Sequence, residues 1–351
     1  MSLLSDKTYG VVKSYGIKGT LLTSPALETL AEAKDLDDLV NRLRGTIYGE
    51  FVTKLEKPFH PNDLDFAFRK HLSFIHNSLI KSMPNSDILR AYYMKYISWN
   101  LKTILKGKAL GKTYDEIAGY VDLYAEELIG RRDLVIKALA TKNLVESIEI
   151  LKNSEFGEET QLALNIFNEK NNIQIFDTFI DKAFFNNIIK TYKKKLKRGE
   201  RKTTQSIIAI DIDSYNILAV LRAKTWQLPP SQTRDLIIEP IFNISIDTLD
   251  DMIELDSISQ AVKLLENTDY RTILQEAPTE KETISKLETA FQILSYQKAK
   301  RPFLWDIFSI SAALGIIKLK ELETRNLSSI AFGVEQKIGV QRIIEKIITL
   351  K

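Results

Sequence analysis

The sequence of 351 residues contains no cysteine, and histidine, proline and glycine are scarce. Without cysteine the chain can form no disulfide and no thiolate metal site, which suits a reducing environment. The 9 prolines and 14 glycines are too few for a turn-rich all-β fold. Of the 3 histidines, His71 and His76 would lie about 140° apart around a helix and could not easily share one metal.

A long apolar run and a large excess of one charge are also missing. The longest apolar stretch, 307–317, is interrupted by Ser309, Ser311 and Gly315 and is far shorter than the roughly 20 residues of a membrane span. The N-terminal segment lacks the apolar core of a signal peptide. Lys and Arg total 49 against 46 Asp and Glu, a smaller basic excess than nucleic-acid binders usually carry. We therefore expect a cytoplasmic protein that does not bind nucleic acid.

What the chain does contain is an apolar pattern that occurs three times. Each copy has apolar residues at offsets of four and seven, which form one stripe of an α-helix, and an aromatic residue at offset twelve. Successive copies start 108 and 114 residues apart. They consist of Leu36, Val40, Leu43 and Tyr48; of Leu144, Ile148, Leu151 and Phe156; and of Ile258, Val262, Leu265 and Tyr270. We expect the aromatic residue to lie just beyond the end of its helix.

A second landmark repeats in step with the first. It is an asparagine followed by an apolar helical face, at Asn100, Asn216 and Asn326, with spacings of 116 and 110 residues. Between the two landmarks each copy has an amphipathic stretch with an apolar pair four residues apart, namely Phe68 and Leu72, Ile180 and Phe184, and Leu287 and Phe291. Residues 208–212 alternate as in a strand, but their register with the other copies predicts a helix.

The repeat predicts an all-α protein of three similar helical domains. We place the domains at residues 1–120, 121–235 and 236–351, each with about three main helices and a short one. Helical solenoids usually repeat every 34–47 residues, so a period of about 110 favours closed domains.

No motif in the chain predicts a catalytic residue, a cofactor site or a metal site. The segment GKALGKT from Gly107 has one residue too few for a phosphate-binding loop and follows a helix instead of a strand. The acidic residues Asp211 and Asp213 lack the hinge and distal glutamate of a calcium loop. The basic run from Lys190 to Lys202 is typical of a solvated helix end, for which an acidic protein is the most plausible partner.

The order and spacing of the landmarks resemble the C subunit of the archaeal and bacterial A/V-type ATPases, the counterpart of the d subunit of the eukaryotic vacuolar ATPase. The resemblance spans nearly the whole chain. It rests on Tyr9 and GTLL at 19–22, LETLAEAKDLDDLVNRLRGTIY, NLKTILKGKALGKTYDEI, NILAVLRAK and KELETRNLSSIAFG, the last with Lys320, Glu321, Glu323, Asn326 and Leu327.

This resemblance implies a funnel of three helical domains about a pseudo-threefold axis, with no active site. It implies a peripheral rotor subunit on the cytoplasmic side of the membrane, seated on the proteolipid ring and receiving the central shaft made by the D and F subunits. The stator membrane subunit is a further candidate partner. For the shaft contact we predict the loop family after each asparagine helix, including Lys106, Lys108 and Lys112. The alternative function is that of a helical scaffold or adaptor protein unrelated to ATPases.

Overall fold

The computed structural model describes residues 3–239, 242–305 and 308–348. Every regular element within these ranges is a helix, which confirms the all-α class. The α-helices are α1 (Leu3–Lys18), α2 (Ser24–Ala31), α3 (Leu36–Arg44), α4 (Gly49–Val52), α5 (Pro61–Ser82), α6 (Asp87–Ala109), α7 (Tyr114–Ala118), α8 (Tyr124–Leu128), α9 (Arg132–Ala140), α10 (Leu144–Leu151), α11 (Gly157–Lys170), α12 (Gln174–Lys194), α13 (Arg198–Thr225), α14 (Pro230–Arg234), α15 (Ile246–Glu254), α16 (Ile258–Lys263), α17 (Glu280–Lys300), α18 (Pro302–Trp305), α19 (Ile310–Glu335) and α20 (Val340–Ile344). Two 3₁₀ helices cover Leu264–Asn267 and Arg271–Ile273.

The chain forms two compact units. The first comprises Met1–Leu89, Tyr124–Ile129 and Tyr296–Lys351, and the second comprises Arg90–Leu123 and Gly130–Ser295. In the first unit, residues of α2, α3 and α5 share a hydrophobic core with the C-terminal half of α19 and with α20. In the second, α13 shares a core with α15, α16 and α17. Both cores therefore join an asparagine helix to a copy of the apolar landmark. The division into three domains at residues 1–120, 121–235 and 236–351 stays a prediction.

The first landmark forms a capped helix in all three copies. Its N-cap side chain accepts a hydrogen bond from the backbone N–H three residues later, which satisfies one of the free donors at the helix start. The caps are Asp35, Asn143 and Ser257. The apolar stripe is buried except for Val262, which is half-buried. In the third copy the α-helix gives way to a 3₁₀ helix before Leu265, which is nevertheless fully buried.

The aromatic residue of each copy lies beyond its helix, as predicted, and a hydroxyl residue two positions earlier holds it there. That hydroxyl donates to the carbonyl at the helix end, over 2.6–2.8 Å, and accepts the N–H of the aromatic residue, over 3.1–3.2 Å. The hydroxyl residues are Thr46, Ser154 and Thr268. Because this turn directs Tyr48, Phe156 and Tyr270 inward, all three rings are at most 1% exposed.

The amphipathic stretches between the landmarks lie in α5, α12 and α17, and all six of their predicted apolar residues are buried. Residues 208–212 lie within α13, which confirms the helix predicted there against the strand-like alternation. Ile208, Ile210 and Ile212 are all buried because this helix is covered on more than one side.

Candidate functional site

Each asparagine of the second landmark fastens the chain 22 residues further on. Its side-chain amide donates to the carbonyl of that residue and its side-chain oxygen accepts the N–H of the same residue. The partners are Asp122 for Asn100 (2.8 and 3.3 Å), Ile238 for Asn216 (2.8 and 2.9 Å) and Ile348 for Asn326 (2.9 and 2.9 Å). In each copy these two hydrogen bonds tie together the end of the helix, a four-residue loop and a five-residue helix. We call α6, α13 and α19 the Asn helices.

The four-residue segments after the Asn helices, 110–113, 226–229 and 336–339, are called the Asn loops. A residue with positive φ lies just beyond each Asn helix, eleven positions after its asparagine: Gly111 (71°), Gln227 (54°) and Lys337 (52°). The next residue donates its N–H to a carbonyl five positions back, over 2.9–3.0 Å. This is the Schellman arrangement of a helix C-terminus. Gly111 of the GKALGKT segment is therefore a helix-ending residue.

Gly107, the other glycine of that segment, lies inside α6 against the short helix that follows the loop. A Cβ atom at this position would lie 2.6 Å from Ile117 in α7. The third copy repeats the contact, with a Cβ at Gly333 lying 2.7 Å from Ile343. The corresponding pair in the second copy is Ala223 and Thr233, both buried. The role of Gly107 is to let the short helix approach.

The structure gives the three predicted shaft-contact lysines different environments. Lys106 is half-exposed and its Nζ lies 2.9 Å from a carboxylate oxygen of Asp177. Lys108 is 7% exposed and donates to the carbonyl of Thr141, as Lys224 does to the carbonyls of Ile253 and Leu255 at the same position of the second copy. Of these three lysines, Lys112 is the one that is exposed to solvent.

Exposed apolar side chains, which the sequence patterns did not predict, accompany Lys112 on the Asn loops. Leu110 is 58% and Tyr114 is 51% exposed at the first loop, and Ile338 is 45% and Val340 is 38% exposed at the third. Trp226 of the second loop is half-exposed. Single exposed apolar side chains are common on any protein surface, whereas contiguous exposed apolar patches are typical of contact surfaces. The sequence did contain one indication of this exposure: each Asn loop has an apolar residue that does not belong to the apolar stripe of a helix.

Four polar residues of the C-terminal segment KELETRN, in contrast, are buried: Lys320, Glu323, Thr324 and Asn326. Lys320 is fully buried and donates to Glu323 over 2.6 Å; Glu323 also accepts the hydroxyl of Tyr48, over 2.6 Å, and the N–H of Leu22, over 2.5 Å. Burial lowers the pKa of Lys320, and the adjacent Glu323 partly opposes that shift. This cluster links α19 to the first landmark, so it holds the core of the first unit together.

An equivalent acid lies three residues before the asparagine in the second copy. Asp213 accepts the hydroxyl of Tyr270 and, over 3.1 Å, the N–H of Asn243. Burial raises the pKa of Asp213 to about 6. The first copy has Ile97 at this position, and the aromatic residue of the second copy is Phe156, which has no hydroxyl. Each acid pairs with the tyrosine of another copy, Glu323 with Tyr48 and Asp213 with Tyr270. The role of Asp213 is therefore structural.

His71 packs its ring 4.4 Å from that of Tyr48 and is 4% exposed. Burial, together with the nearby Lys320 ammonium, lowers the pKa of His71 to about 3. The other buried histidine, His76, pairs with the carbonyl of Leu89 over 2.9 Å. Both side chains belong to the packing of the first unit.

Together these features define the class of protein: an all-helical repeat protein whose Asn loops, each closed by an asparagine, are exposed candidates for a protein contact. Comparison with known proteins gives the family. The protein-family model described as "ATP synthase (C/AC39) subunit" matches residues 11–346, and the chain belongs to this family. No helix within the described residues is long and apolar enough to cross a membrane.

Similar proteins from archaea carry consistent names. The chain is 24% identical to the A-type ATP synthase C subunit of Methanocaldococcus jannaschii over 341 residues, which covers 94% of this chain and 83% of the relative. It is 25% identical to the protein of the same name from Pyrococcus abyssi over 346 residues, covering 97% and 90%. The corresponding protein of Thermococcus onnurineus is 23% identical over 342 residues, covering 96% and 89%.

Proposed function

We propose that this protein is a non-catalytic central-stalk rotor subunit of an A/V-type rotary ATPase. In this role it couples a shaft made by the D and F subunits to the membrane proteolipid ring and transmits torque for ATP synthesis and ion transport. The observation that carries the proposal is the family match over residues 11–346. Names of relatives that cover nearly the whole chain support it.

The local structure suits a part that must transmit torque without deforming. Each Asn helix is closed by two side-chain hydrogen bonds to a distant peptide group and by a Schellman end. The polar residues that might suggest chemistry, such as Asp213, Lys320 and Glu323, are engaged in core hydrogen bonds. These features support a stiff mechanical part and a non-catalytic role.

We further propose that the Asn loops make the shaft contact, within the funnel of three domains expected from the sequence. Among Lys106, Lys108 and Lys112, the exposed Lys112 is the residue that supports this contact most directly. Leu110 and Tyr114 add apolar area beside it, and an apolar centre with a polar rim is the usual composition of a protein interface.

The proposal can be tested by affinity purification of the tagged protein from membranes dissolved in mild detergent. We expect recovery of the shaft subunits and of the proteolipid ring, identified by mass spectrometry. A second measurement compares the complex with and without this chain: without it, ATP hydrolysis should continue while ion pumping into vesicles is lost. Recovery of neither partner, or ion pumping that persists without the chain, would contradict the proposal.

A further inference from the structure

The turn between α12 and α13 concentrates the positive charge of the chain. Residues 190–202, called the basic turn, hold eight Lys and Arg and one Glu, a net charge of +7, whereas the whole chain carries +3. The rest of the chain is therefore net −4. The cations are Lys190, Lys193, Lys194, Lys195, Lys197, Arg198, Arg201 and Lys202, and all eight are exposed.

Two buried side chains fix how the basic turn is presented. Leu196 is 6% exposed, and the ring of Tyr192 packs edge-on against Phe242 at 5.7 Å. α12 ends at Lys194 and α13 begins at Arg198, so the link between the helices is only three residues long. The cations thus stand on the end of a helical hairpin and not on a loose tail.

We propose that the basic turn binds the headgroups of an anionic lipid bilayer. Cations on a convex turn, distributed over the end of one helix, the link and the start of the next, fit a flat and fluid anionic surface better than a groove. Clusters of four to eight Lys and Arg are attracted to anionic leaflets by about 1 kcal/mol for each cation near the surface. This inference goes beyond the proposed function, which concerns protein partners alone.

The corresponding turn of the third copy, which lies in the first unit, carries residues of its own that are typical of a bilayer contact. It precedes α19 as the basic turn precedes α13, and it carries the exposed Arg301 with Leu304 (67% exposed) and Trp305 (75% exposed) in α18. Its neighbours Pro302 and Phe303 are buried and anchor the helix. An exposed Trp and Leu beside a cation are typical of segments that lie in the interface of a bilayer.

The test is co-sedimentation of the purified full-length protein with vesicles of phosphatidylcholine alone or mixed with phosphatidylglycerol. We expect binding only to the mixed vesicles, weakening as salt is added because exposed charges are screened. The variant Lys194→Gln/Arg201→Gln/Lys202→Gln should bind about a hundredfold more weakly. This expectation takes roughly 1 kcal/mol for each cation removed and a tenfold change in affinity for each 1.4 kcal/mol. Trp305, the most exposed Trp of the described residues, should shift its fluorescence to the blue on binding.

The matched control is Lys142→Gln/Lys152→Gln/Lys263→Gln, which removes the same charge from exposed positions of the same unit. It should keep the wild-type affinity. Absence of selective binding to the mixed vesicles would overturn the proposal, as would equal losses in the two triple variants. A different result would assign the basic turn to a protein partner instead: the wild type binds no vesicles, and the first variant loses a shaft or ring component from the detergent complex. Neither result would affect the rotor assignment, which rests on the separate purification experiment.

Discussion

Asn100, Asn216 and Asn326 occupy one position of the repeat because an amide side chain can both donate to and accept from a peptide group. Each asparagine side chain pairs with both the N–H and the C=O of a single residue, as a neighbouring β-strand would do in a sheet. A buried peptide group without such partners costs free energy. At the scale of the residue, the three repeated asparagines are explained by the backbone groups that they satisfy.

Replacing Asn216 by Ala should therefore destabilise the second unit. The substitution leaves the buried N–H and C=O of Ile238 without partners, and we expect the free energy of unfolding to fall by about 2–4 kcal/mol. Urea unfolding followed by circular dichroism measures the change. Asn153→Ala, at an exposed position, is the control and should change stability by less than about 0.5 kcal/mol. Equal effects of the two substitutions would contradict the assigned role.

His71 predicts an acid-sensitive first unit. Because its pKa is about 3 in the fold and 6.5 is the unperturbed value, the unfolded chain binds more protons between these pH values. The free energy of unfolding should thus fall as the pH falls below 6.5, by about 3 kcal/mol at pH 4.5. His71→Phe keeps a ring beside Tyr48 and should remove this contribution. Urea titrations at several pH values test it, with the exposed His60→Phe as the control that keeps the wild-type slope.

At the scale of the element, the recurring unit is a helix end that reverses tightly. The C-terminal turn of each Asn helix, its positive-φ residue and the returning five-residue helix fit together only if the side chains at their contact are small on one side. The first and third copies use Gly against Ile, and the second has Ala and Thr at the corresponding positions. The two side chains at this contact therefore have a similar total volume in all three copies, reached either with Gly and Ile or with Ala and Thr.

Gly107→Ala should consequently destabilise the first Asn loop, although alanine is the better helix former. We expect a net loss of about 1–2 kcal/mol, because overpacking against Ile117 outweighs a gain of about 1 kcal/mol in helix propensity. The double variant Gly107→Ala/Ile117→Thr reproduces the second copy and should recover most of the loss. Gly199→Ala in α13, where nothing lies within 4 Å of the added atom, should stabilise the protein. Thermal unfolding distinguishes these outcomes; a destabilising Gly199→Ala or an unrescued double variant would be evidence against the packing argument.

At the scale of the whole molecule, the Asn loops recur three times while their surface chemistry varies. The first carries Leu110 and Lys112, the second WQLP, and the third Ile338. Repeated local geometry with variable tips is typical of loops that carry binding function. In the proposed rotor role, each loop would present a different contact to an asymmetric shaft.

The variant Leu110→Ser/Lys112→Glu should therefore weaken binding of the purified D and F subunits by at least about tenfold, since it removes exposed apolar area and reverses a charge. Val145→Ser/Lys142→Glu makes comparable changes at exposed positions outside the loop and should bind normally. Isothermal titration calorimetry supplies the affinities. Lys108 is left intact because it is buried, so its reversal would test folding instead of binding. Normal affinity of the first variant would assign the shaft contact elsewhere.

The helices and their apolar stripes could be predicted because helix periodicity is a local property of the chain. Leu36, Ile148 and Phe291 are buried as expected for this reason. The candidate surface was predicted only in part. Lys108 belongs to the same basic segment as Lys112 but reaches a carbonyl 33 residues away, and no local pattern reveals that distance. Side-chain exposure depends on which distant element returns to cover it.

By itself, the sequence determined the all-helical class, the threefold repeat of the landmarks and the positions of the helices that carry them, because each depends on residues within a few turns of one another. Only the tertiary structure decided what the landmarks do: that the asparagines close segments 22 residues long, that Glu323 meets Tyr48 from the other end of the chain, and that Lys112 is exposed while Lys108 is not. Those outcomes depend on which backbone and side-chain groups meet across long sequence separations, where burial makes an unpaired polar group costly.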